Sequence, residues 1–124
     1  MIGYVTLGSN DLAKAASFYD EVLKEINATR IYDTEGFISW GVDPASPMLG
    51  ILPPHDGNPA TVGNGVMIAI KAENRDTVDK LHAKALALGA VNEGDPGVRG
   101  GGFYCAYFRD MDGNKLNAFC IESG

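Results

Sequence analysis

"GVMIAIKAENRDTVDKLHAKALALGAV", residues 65–91, follows the same plan as "IGYVTLGSNDLAKAASFYDEVLKEINAT", residues 2–29. Each opens on a β-type apolar run, breaks at polar residues able to cap a helix, and continues with apolar residues every three to four positions. In the earlier copy, Ser9 or Asn10 is the expected cap, with Asp11 in the first turn. Leu12, Ala16, Tyr19, Leu23 and Ile26 then form an apolar stripe that ends near Asn27, leaving Lys14, Asp20 and Lys24 outward. In the later copy Asn74 is the cap, Val78, Leu81, Ala85 and Leu88 form the stripe, and Gly89 suits a left-handed C-cap.

The segments after the two helices repeat as well. "ATRIYD", "GFISWGV" and "PMLGIL" are three short β-type runs separated by the turn compositions "TEG" and "DPASP". "AVNEG", "GFYCAYFRD" and "KLNAFCIE" are three more, the last two joined by "MDGN". Between the copies, "PPHDGNPAT" holds three prolines and a glycine without apolar periodicity, so it reads as a linker. The expectation is an α+β fold: two βαβββ modules in one chain, residues 1–53 and 63–122 with a linker at 54–62, forming one domain of 1–124. One helix covers one face of each sheet. The other faces are expected to curve around a concave cleft.

Composition bounds the function. With 124 residues, 45% of them hydrophobic, the chain can bury a real core. It has no run of about 18 apolar residues, and "MIGYVTLGSND" lacks the basic start and apolar core of a signal peptide, so a soluble cytoplasmic protein without a membrane span is expected. A net charge of −6 and the absence of Lys/Arg clusters oppose nucleic-acid binding. Cys105 and Cys120 sit in apolar runs without CxxC spacing, which excludes a zinc motif and a disulfide framework.

The pieces "YVTLGSNDLAKAASFYDEVL", "GVMIAIKA" and "FRDMDGNKLNAF", in this order, resemble the vicinal oxygen chelate superfamily, which includes glyoxalase I, extradiol dioxygenases and the fosfomycin- and bleomycin-resistance proteins. The resemblance covers nearly the whole chain. It implies metal ligands at a histidine in the first strand, a histidine in the fifth, commonly a carboxylate in the fourth and a glutamate in the eighth. This sequence has Tyr4, Met67, no acid around Leu49, and Asn117 at those places. A phenol, a thioether and a neutral amide are poor ligands for hard or borderline divalent ions, so no metal and no cofactor are expected.

The same positions set which side chains face the cleft, because side chains alternate along a strand. The resemblance then places Tyr4, Met67, Asn117 and Phe119 there, with Phe103, Cys105 and Tyr107 from the seventh strand and Trp40 as a candidate from the third. Tyr107 looks like a pocket tyrosine that contacts oxyanion substrates in the fosfomycin-resistance group. Val5, Leu7, Val66, Ile68, Ile70, Leu116, Ala118 and Cys120 are expected to face the helices. In "EGDPGVRGGGFY", Arg99 before three glycines reads either as a flap whose guanidinium clamps an anion or as a long surface connection. His82 lies at the margin of the second helix's stripe and His55 in the linker, and neither acquires a catalytic partner from sequence.

Two function classes remain open. One is a metal-free, bleomycin-resistance-like protein binding a small organic ligand in an aromatic-lined cleft; the other is a divergent lyase or isomerase acting on a small carbonyl or thiol-conjugated compound. A homodimer is expected, since two-fold assemblies are the commonest and the resembled superfamily commonly completes its clefts across one.

Overall fold

A computed structural model describes residues 1–122. Its backbone gathers into two compact units, Met1–Val62 and the chain from Gly63 onward.

The first unit runs β1 (Tyr4–Gly8), α1 (Leu12–Val22), a 3-10 turn (Leu23–Ile26), β2 (Thr29–Thr34), β3 (Phe37–Gly41) and β4 (Met48–Leu52). Its sheet has the order β1-β4-β3-β2, with β1 parallel to β4 and the other pairs antiparallel. The helix starts one residue later than the sequence suggests. Asp11 is its N-cap, accepting from Lys14 N at 3.1 Å, while buried Ser9 accepts from Asp11 N and fixes the approach to the cap. Asn27 ends the segment in a left-handed conformation, φ 61°, which asparagine tolerates better than most residues.

Ala15, Ala16, Phe18, Tyr19 and Val22 are the buried side of α1, and the sheet offers Leu7, Ile38, Trp40, Leu49 and Ile51. Burying each large side chain of this kind is worth about 1.5–3 kcal/mol. Trp40 corrects the sequence expectation. Its ring lies 5.6 Å from that of Tyr19, and its Nε1 donates to Asp20 Oδ1 at 2.9 Å, so it faces α1 and lies outside any open-face site.

The second unit repeats the order: β5 (Ile68–Lys71), α2 (Arg75–Ala87), β6 (Val91–Val98), β7 (Phe103–Arg109) and β8 (Lys115–Ile121), in a sheet of order β5-β8-β7-β6. Asn74 caps α2 by accepting from Thr77 N, and Gly89 comes after it at φ 109°. Val78, Leu81, His82 and Ala85 of α2 are buried, as are Ala106, Phe108, Leu116, Ala118 and Cys120 of the sheet. The "DMDGN" turn closes through Asp110, whose Oδ1 accepts from both Asp112 N and Asn114 N.

Three further expectations change here. β5 begins only at Ile68, so Met67 precedes the strand, and Val66 is exposed instead of facing a helix. β6 continues through Pro96 to Val98, which an edge strand allows, with register shifts around Gly94. The stretch expected as a flap or long connection is thus mostly strand, closed by a tight turn at residues 99–102 in which Arg99 N donates to Phe103 O at 2.8 Å. Among the described residues, no helix is long and apolar enough to cross a membrane.

Candidate functional site

Each sheet has one face under its helix and one face turned away, and the strand-borne polar and aromatic candidates other than Trp40 sit on the second kind.

On the first unit, Tyr4 and Thr6 of β1 lie on the face opposite Leu7. The parallel register sets Tyr4 beside Met48 and Thr6 beside Gly50. Because Gly50 has no side chain, the ring of Phe37 settles over it; a Cβ there would stand 2.5 Å from Phe37 Cε2. Tyr4 meets Phe37 edge-on at 6.4 Å. Together with Tyr32 and Leu52 these residues line a pocket of about 460 Å³. That volume lies within the usual range for small-molecule sites. Tyr4 is 60% exposed and Tyr32 52%, so the aromatic rim is open to solvent.

Of this set the sequence reading singled out Tyr4 as a ligand contact. Thr6, Tyr32, Phe37, Met48 and Leu52 were missed as contacts, although the alternation of the last three with the buried Ile38, Leu49 and Ile51 was a usable signal.

On the second unit, Phe103, Cys105 and Tyr107 of β7 and Asn117 and Phe119 of β8 share the face away from α2, with Cys105 opposite Phe119 and Tyr107 opposite Asn117. The rings of Phe103 and Phe119 are 5.7 Å apart. Cys105 and Cys120 are both buried and lie on opposite faces of the sheet, and burial pushes the Cys120 thiol above its ordinary value. Arg99, exposed at the turn, folds back toward Tyr107, with its Cζ 5.5 Å from the ring centroid. Lys115, not foreseen from sequence, places its Nζ 5.4 Å from the same centroid.

His82, at the margin of the stripe of α2, is buried. Its Nε2 lies 3.1 Å from both Asn92 Oδ1 and the Tyr107 carbonyl. Two acceptors on one nitrogen require that nitrogen to carry the proton. His55 is exposed in the segment that follows β4 within the first unit. That segment is tied to the approach to α1, where Asn10 accepts from Ala60 N at 2.7 Å and donates to Ala60 O at 3.3 Å.

The donor set does not fit the divalent metal that the resemblance implies. Tyr4, Met67 and Asn117 supply a phenol, a thioether and an amide, and among the described residues no three His, Cys, Asp or Glu side chains group to hold an ion.

The sequence profile of the Glyoxalase/Bleomycin resistance protein/Dioxygenase superfamily matches residues 1–118, and the chain belongs to that family. Among solved structures, a glyoxalase/bleomycin resistance protein from Albidiferax ferrireducens T118 is 32% identical, with a TM-score of 0.90 over 98% of this chain and 99% of that one. A glyoxalase/bleomycin resistance protein/dioxygenase family enzyme from Burkholderia phytofirmans PsJN is 18% identical, with a TM-score of 0.75 over 97% and 98%. The hypothetical protein SA1046 from S. aureus is 22% identical, with a TM-score of 0.74 over 98% and 93%. These last two share the fold. A search against curated proteins finds no match.

Proposed function

We propose that the protein binds a small organic ligand without a metal, as a cytoplasmic homodimer. The observation that carries this reading is the pocket of about 460 Å³ on the first unit, walled by Tyr4, Tyr32, Phe37, Met48 and Leu52. Aromatic rings with hydroxyl tips suit a flat organic compound, stacking its apolar body and orienting its polar edge. The family includes proteins named for bleomycin resistance, which is compatible with capture instead of turnover. Met67, just ahead of β5, and the face of the second unit that bears Phe103, Cys105, Tyr107, Asn117, Phe119 and the overlying Arg99 are proposed as ligand-contacting too.

Ligand-observed NMR against a library of small aromatic and carbonyl compounds tests the reading. Binders are expected, and Thr6→Trp, which fills the pocket from an exposed strand position, should abolish their binding without lowering the melting temperature. Binders indifferent to Thr6→Trp would remove the pocket from the function. Light scattering should give twice the 13.1 kDa chain mass; a monomer at about 50 µM would end the homodimer proposal.

A further inference from the structure

Two cations on the second unit converge on one tyrosine ring. Arg99 and Lys115 both lie within 5.5 Å of the Tyr107 ring centroid. Among the described residues, neither forms an ion pair. The nearby acids are engaged elsewhere. Glu93 accepts from Arg109 Nε at 2.6 Å, and that guanidinium holds its carboxyl below the usual range, with Lys115 adding only a smaller, longer-range pull. The Asp95 carboxylate accepts from Asn92 Nδ2 at 2.7 Å, and the Arg99 guanidinium donates to the Asp95 backbone carbonyl, at 2.6 Å. In a chain with 16 acidic and 10 basic residues, two such cations around one ring leave positive potential unspent.

A second observation adjoins them. Asn117, the direct cross-strand partner of Tyr107 and two residues from Lys115, is only 4% exposed, and its Oδ1 has no hydrogen-bond partner. A buried acceptor left unmatched is uncommon in native proteins and calls for a donor. We infer that this face binds a small organic carboxylate that carries a hydroxyl or amino group beside the carboxylate.

The guanidinium fork and the ammonium group take the carboxylate, as such groups do in charge-assisted pairs. The neighbouring O–H or N–H donates to Asn117 Oδ1. Phe103 and Phe119 offer an apolar wall to the rest of the molecule. A phosphate monoester would match the cations equally well, but near neutral pH, above its second pKa of about 6, it is mostly a dianion and brings little donor for Asn117.

The inference rests on the reading that this face contacts a ligand, and a neutral probe separates the two. In ¹⁵N–¹H NMR titrations of the full chain with phenyllactate, phenyllactamide, 3-phenylpropionate and phenyl phosphate, phenyllactate should bind tightest, at least about tenfold tighter than its neutral amide. Arg99→Ala and Lys115→Ala should erase the preference for the anion over the amide. Asn117→Ala should erase the preference for phenyllactate over 3-phenylpropionate and spare the first. Gly97→Ala, which displaces the Arg99 guanidinium without touching the core, should act like Arg99→Ala. Equal binding of phenyllactate and phenyllactamide overturns the anion site while the ligand-binding reading stands. Tighter binding of phenyl phosphate or of 3-phenylpropionate refutes the role of Asn117, and binding of no probe overturns both readings.

Discussion

The guanidinium of Arg99 reaches Tyr107 through space that two glycines leave open. A Cβ at Gly97 would stand 2.8 Å from Arg99 Nη1, and one at Gly94 would stand 3.0 Å from Tyr107 Cδ2 and 3.4 Å from Arg99 Nη2. The arginine is therefore bedded against its own hairpin.

Gly97→Ala and Gly102→Ala should differ sharply. At Gly97 the obstacle is the far end of a flexible side chain, so the guanidinium moves away and unfolding free energy changes by less than about 0.5 kcal/mol. At Gly102, φ is 81° and the added carbon meets the Glu122 carbonyl oxygen at 3.0 Å, so backbone strain should cost about 1–3 kcal/mol. Urea unfolding of both variants decides it. Equal losses would show that Arg99 is held more firmly than its bed implies.

His82→Leu should destabilise the second unit by about 1–3 kcal/mol, because the Tyr107 carbonyl and Asn92 Oδ1 would lose the donor they share. Asn92 also accepts from Gly94 N at 2.9 Å, inside the irregular part of β6, so amide exchange should quicken around Gly94 in the same variant. Unchanged exchange there would confine His82 to packing.

The Asp20 carboxyl is held below its ordinary value of 3.8, first by the hydrogen-bonded Arg30 guanidinium, against opposing burial, and further by the Trp40 indole. A folded value below the unfolded one means the stabilisation is present above about pH 5 and disappears as pH falls through the folded value. The Arg30 and Asp20 side chains are 32% and 33% exposed, so the pair is worth no more than about 1 kcal/mol. Trp40 is the single tryptophan, and its fluorescence should report the loss directly. Asp20→Asn should lower the urea midpoint at pH 7 and flatten its fall toward pH 3; an equally steep fall would assign the acid sensitivity to other carboxylates.

Purified protein should carry no stoichiometric Zn, Ni, Fe, Mn or Mg, and chelator should leave its melting temperature unchanged, since a bound ion stabilises the native state by linkage. One metal per chain by elemental analysis would overturn the metal-free reading.

The doubled order of elements was legible because it rests on local signals: Asn74 before a helical stripe, Gly89 after it, and "DMDGN" between two apolar runs. The open faces were partly legible through alternation, which placed Tyr107 and Asn117 on one side of the second sheet. Trp40 was misplaced because its indole partner, Asp20, lies twenty residues away on α1. Lys115 escaped notice because a lysine beside a turn is ordinarily a solvated residue, and only the register of β7 with β8 brings it to Tyr107. The pocket floor depends on a glycine opposite a ring, Gly50 under Phe37, and no periodicity announces that pairing.

Each unit joins its first strand to its last, β1 to β4 and β5 to β8, in parallel register. On the ribosome, neither sheet can close as its strands emerge one by one. The first waits for Leu52, and the second must hold β5 unpaired until Lys115–Ile121 has left the exit tunnel. During that interval the apolar segment around Ile68 and Ile70 is without its neighbour, and a chaperone meeting the nascent chain would find an unpaired strand there.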